Sequence, residues 1–167
     1  LSEDGGETFA ASNQGVGAGF APDPYPEFGQ CVHKIARHDD APGRLYMQNH
    51  GGWGEWEGPG GPRKDIGVLR SDDHGHTWRS IAKGLPSDFG FPIAVDAHDG
   101  RTAWVVPARA DSERMAIGGG LCIARTTDGG QSWQSFRSGL PQENAYDIVL
   151  RHGLDVSGDR LCFGSTT

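Results

Sequence analysis

No run of apolar residues in this sequence approaches the roughly 20 that a bilayer-spanning helix needs, so no membrane span is expected. Cysteine is scarce as well. Cys31, Cys122 and Cys162 form an odd set with no C-x-x-C pair, which implies no disulfide framework and favours a reducing compartment, the cytoplasm. Positive charge is in deficit: 15 Lys and Arg stand against 22 Asp and Glu, a net charge of −7. General nucleic-acid binding needs the opposite balance and is not expected. Helical periodicity is missing from every window of about ten residues. Apolar residues make up only 35%, workable if the core is shared among many short strands. What the chain does hold is glycine, 27 residues in 167, with 10 prolines. Turns must be frequent, in a chain long enough for one ordinary domain.

Those turns repeat. Residues 71–78 read SDDHGHTW, 2–9 read SEDGGETF and 126–133 read TTDGGQSW. All three fit Ser/Thr-x-Asp-x-Gly-x-Ser/Thr-aromatic. The aspartates are Asp4, Asp73 and Asp128, 69 residues (4 to 73) and then 55 residues (73 to 128) apart. Six residues past each aromatic stands Gly15, Gly84 or Gly139, followed by Val16, Leu85 or Leu140. Between the boxes, 31–50, 91–109 and 146–167 each read as strand, polar turn, strand. The expected fold is all-β: four-stranded antiparallel units of 55–69 residues, the size of a propeller blade.

The box composition has a structural explanation. Gly6, Gly75 and Gly130 fall where a tight hairpin needs φ > 0. Asp4, Asp73 and Asp128 can accept backbone N–H groups within the turn, and the hydroxyls of Thr8, Thr77 and Ser132 can bond across it. The terminal aromatic, Trp78 or Trp133 in two copies, can pack beneath the hairpin. His74 and His76 therefore read as outward-facing residues of one copy, without partners. A metal there is not expected, since a structural zinc wants about four converging ligands.

Three such boxes separated by strands resemble the BNR/Asp-box repeat family, which includes sialidases, other glycoside hydrolases and sortilin-type receptors. GETFAASNQGV, PDPYPEFGQCVHK, LYMQNHGG, GLPSDFGFPIAVD and SGLPQENAYDIVLR are similar to the second half of bacterial propeller proteins labelled sialidase-like or BNR-repeat glycosyl hydrolases. Residues 53–66 depart from that likeness, as an insertion after a second strand would. The resemblance implies a partial β-propeller: the end of one blade (1–30), two full blades (31–86 and 87–141) and the start of another (142–167). Closed propellers have about 4–8 blades. The remainder of the ring is expected from the same parent chain or from another copy. First strands would line the channel, with the boxes at the outer rim.

Candidate site residues follow from that placement. Cys31 and His33 share one face of a strand at i, i+2, and His50 ends its partner strand. Three N/S ligands with an open position would suit a catalytic metal, but no fourth ligand is evident. The expectation is a buried cysteine and a channel histidine bonded to backbone, with no metal or cofactor. Trp53 and Trp56, in a Gly-rich stretch with Glu55 and Glu57, offer faces for a sugar or partner. By resemblance, sialidases hold a substrate carboxylate with arginines, which turns attention to Arg109, Arg114 and Arg151; Arg125 and Arg70 precede boxes and read as rim structure. Tyr146 with Glu143 has the letters of a sialidase nucleophile and its activator, but the Arg-Ile-Pro segment of that family is absent. Asp96, Asp147 and Asp155 lie on or near first strands, where a carboxylate pair would sit in a glycosidase. The leading expectation is a channel mouth (His33, His50, Arg109, Arg151, Trp53, Trp56) that binds, and in an enzyme would hydrolyse, a glycan or small polar anionic ligand. The alternative is a non-catalytic scaffold that binds a protein.

Overall fold

A computed structural model describes residues 1–18, 22–50 and 66–166. The chain is all-β, with antiparallel sheets and, among the described residues, one 3-10 turn at Ile117–Gly119. β1 (Cys31–His38), β2 (Ala41–His50), β3 (Gly67–Ser71) and β4 (Arg79–Ser80) form one four-stranded sheet in sequence order. β5 (Gly90–Val95), β6 (Ala103–Pro107), β7 (Ile123–Thr126) and β8 (Gln134–Phe136) form a second with the same order. β9 (Leu154–Ser157) and β10 (Arg160–Phe163) make a separate hairpin. No sheet of the described residues closes on itself.

Strand periodicity explains how the layers stack. Successive side chains face opposite ways. Tyr46 and Val68 point into a core shared with Ile93, Ala103, Val105 and Ala124 of the second sheet. Their neighbours Met47 and Leu69 point the other way, onto Val16 and Trp78. The second sheet repeats the pattern: Ala94, Val106 and Ile123 face a third core with Val149 and Leu154. Each sheet is thus buried on both faces at its centre. Polar ties cross between the two sheets as well. Tyr46 Oη donates to the Gly100 carbonyl at 2.8 Å, Trp133 Nε1 to that of Ile81 at 2.7 Å, and Arg70 Nη1 to that of Gly129.

The boxes form the hairpin locks their composition calls for. In the second, the Ser71 hydroxyl donates to Asp73 at 2.8 Å and accepts from Gly75 N–H at 2.8 Å, while Asp73 accepts from the Thr77 N–H and hydroxyl at 2.9 and 2.6 Å. The third repeats these bonds with Thr126, Asp128, Gly130 and Ser132. The first repeats them with Ser2, Asp4, Gly6 and Thr8. Gly6, Gly75 and Gly130 have φ of 96°, 93° and 89°. Gly130 also lies where a Cβ would sit 2.6 Å from Ile81, so the turn presses against the neighbouring sheet.

Several expectations need correction. Phe9, the aromatic of the first box, lies against Gly6 of its own hairpin, where a Cβ would be 3.9 Å from the ring, but stays 78% exposed, whereas Trp78 is buried. His76 does have a partner: its Nε2 lies 3.1 Å from Glu3 of the first box. Arg70 is a buried tie and not simply rim structure; with Arg44 and Arg79 it surrounds Asp72. Burial alone would raise the Asp72 carboxyl, but these guanidinium groups hold it at about 2. The last strand pair lies at 154–163, so Arg151 sits in the turn before it and not on a strand.

Candidate functional site

Register decides which side chains meet. Cys31 pairs directly with His50 across β1 and β2, at the end of the sheet away from the box: Gly67 faces Asn49, and Ser71, where the box begins, faces Leu45. The ladder shifts between Val32 and Lys34, which leaves His33 as the extra residue of a β-bulge. A bulge bends the strand and re-aims its side chain. His33 turns inward, 7% exposed, and stacks on Phe91 of β5 with ring centroids 4.3 Å apart. Phe89 meets the rings of both His33 and His50 edge-on.

One donor atom from each of Cys31, His33 and His50 lies within 4.8 Å of the others, the only such three-membered group among the described residues. Cys31 Sγ is 3.6 Å from His33 Nε2. His33 Nδ1 is 2.7 Å from the Gly90 carbonyl, which can only accept, so the proton belongs on Nδ1. Burial pushes the His33 pKa down, against the Gly90 carbonyl, and nearby Arg151 adds to the fall. The imidazole is therefore neutral at neutral pH. His50 Nε2 faces Asp111 at 3.7 Å, and its Nδ1 is buried with no hydrogen-bond partner among the described residues. Cys31 is half-buried rather than buried, and all three cysteines are free.

A charged rim surrounds this cluster. Arg114 and Arg151 each place a guanidinium carbon 5.5 Å from the Phe91 ring centre. Arg114 is paired with Asp111 at 2.6 Å. Arg151 has no ion pair among the described residues. Arg109 is exposed and paired with Glu113 at 2.9 Å, which neutralises the charge expected to hold a ligand.

The other candidates disperse. Asp96 accepts the N–H groups of His98 and Asp99 in the β5–β6 turn, at the far end of the second sheet. Asp155 lies on β9 opposite Cys162, and Asp147 accepts from the Ser165 hydroxyl. Tyr146 is 62% exposed. Arg125 lies over Phe136 on the outermost strand of its sheet. Trp53 and Trp56 fall outside the described residues. Sequence reasoning passed over Asp111, Phe89 and Phe91. The Asp111-x-x-Arg114 spacing was a signal for a local ion pair, but nothing in it pointed to His50.

No protein-family model matches the chain, and no curated protein matches it.

Proposed function

We propose that this chain is part of an Asp-box β-propeller of the sialidase-like kind, and that its His33/His50/Arg151 end binds an acidic sugar or a similar carboxylate-bearing polar ligand. Three boxes with one bonding pattern, and two sheets of identical strand order stacked face to face, support the architecture. The observation that carries the functional reading is Arg151. It is exposed, lies over Phe91 beside His33, and has no carboxylate partner among the described residues. A guanidinium binds a carboxylate in a two-pronged geometry, and Phe91, buried beneath Arg151, supports the guanidinium from below. The reading is of binding; hydrolysis by a carboxylate pair would require a second acid beside Asp111.

Calorimetric titration of the parent chain with N-acetylneuraminate, glucuronate and glucose tests this. Acidic sugars should bind, glucose should not, and Arg151→Ala should weaken binding at least tenfold. Equal binding of glucose, no binding of any sugar, or an unaffected Arg151→Ala variant would sink the idea. The scaffold reading draws on a different observation, the exposure of Val32, Ile35, Tyr146 and Leu150 at 41%, 50%, 62% and 44%.

A further inference from the structure

We propose that Cys31, His33 and His50 form a binding site for a divalent transition-metal ion of the zinc class, with Asp111 orienting His50. The inference does not depend on a sugar being bound. The donor atoms stand at metal-binding distances. Zinc–sulfur and zinc–nitrogen bonds of about 2.3 and 2.0–2.1 Å set at tetrahedral angles place the two ligand atoms about 3.6 Å apart. The Cys31 Sγ to His33 Nε2 separation is 3.6 Å. The third donor lies within 4.8 Å of these two, so approach of the half-buried His50 ring completes the set.

The groups behind the two histidines also suit a metal. A metal-bound histidine hands its remote N–H to a carbonyl or carboxylate, which fixes the tautomer and aims the lone pair. His33 does this through Nδ1 and the Gly90 carbonyl at 2.7 Å, leaving the Nε2 lone pair toward Cys31. At His50 the roles of the two nitrogens are reversed. Its Nε2 lies 3.7 Å from Asp111, longer than a hydrogen bond but close enough for charge to orient the ring; the other Asp111 oxygen is held by Arg114 at 2.6 Å, and the buried Nδ1 has no hydrogen-bond partner among the described residues. A metal ion satisfies that nitrogen.

One thiolate and two imidazoles suit zinc over calcium or magnesium, which take oxygen. Three protein ligands leave a fourth position for water or a ligand atom. That no fourth side chain joins the group among the described residues is thus compatible with an open site.

Cobalt(II) is the probe, because a cobalt–thiolate bond gives a near-ultraviolet charge-transfer band. The full chain, stripped with chelator, is titrated with Co2+ and then with Zn2+. The expected result is saturation at one equivalent, a charge-transfer band, and its loss as Zn2+ displaces Co2+. Cys31→Ser should abolish the band, and Cys162→Ser, at an exposed position outside the cluster, should keep it. His50→Gln and Asp111→Asn, checked for folding by circular dichroism, should weaken Zn2+ binding by about tenfold to a hundredfold. The proposal fails if the wild-type chain takes up no stoichiometric Co2+. It fails equally if the band survives Cys31→Ser, or if folded His50→Gln binds Zn2+ unchanged.

Discussion

At φ 61°, His74 holds the left-handed backbone conformation that Gly5 and Gly129 hold in the other two boxes. A side chain there costs about 1–2 kcal/mol, and glycine gives back roughly 0.5–1 kcal/mol in unfolded-chain entropy. His74→Gly should therefore raise stability by about 0.5–1 kcal/mol, read as a higher urea midpoint with unchanged m-value; a lower midpoint would mean the imidazole contributes more than its backbone costs. The same run of residues shows what single residues disclose. The box roles of Asp73, Gly75, Thr77 and Trp78 were legible because their chemistry is local, closed within a few positions of the chain. Cys31, His33 and His50 were legible in part, because strand pairing brings i, i+2 and a facing residue together. The bulge that turns His33 inward was not, since nothing in CVHK marks an extra residue. Nor was Asp111, which reaches His50 from a loop some sixty positions away.

At the level of elements, each box is an acid-sensitive clasp. Asp73 has its pKa lowered from 3.8 to about 2, first by the Thr77 hydroxyl, then by the Thr77 N–H and Ser71. Asp4 and Asp128 are pushed below the usual carboxylate range by the same groups of their own boxes. A depressed folded-state pKa means that the ionised form is the one the fold prefers. Its contribution is complete above about pH 4 and is lost as pH falls through the folded value. Urea midpoints should thus decline between about pH 4 and pH 2. Asp73→Asn should start lower at neutral pH and decline less steeply in that window. Parallel wild-type and variant curves would show that Asp73 does not carry the effect. Strand identity was legible where apolar residues alternate around a polar turn, as in β1–β2 and β5–β6. It failed at Ile148–Leu150, which read as a strand because the run is apolar. Ile148 and Val149 are buried, yet among backbone–backbone bonds Ile148 takes one, from Thr166, and joins no ladder.

Across the whole molecule, cores alternate with sheets, and each sheet is held by its neighbours on both sides. The β9–β10 hairpin is different, because its described residues show only one buried face, built on Leu154 against Val149, Val106 and Ile123. Two strands alone are marginally stable, so this hairpin depends on that docking, while β2 and β3 sit between two cores. In stacked arrays, stability is close to a sum of units and their interfaces. Leu154, 1% exposed, is the place to separate them, since a buried Leu→Ala change costs about 2–5 kcal/mol. Native-state hydrogen exchange of Leu154→Ala should show β9–β10 amides losing protection by that amount, while Leu69 and Val68 in β3 keep theirs. An equal fall at β3 and β10 would instead mean that the cores open as one unit, and that the hairpin is as integral to the fold as the sheets beneath it.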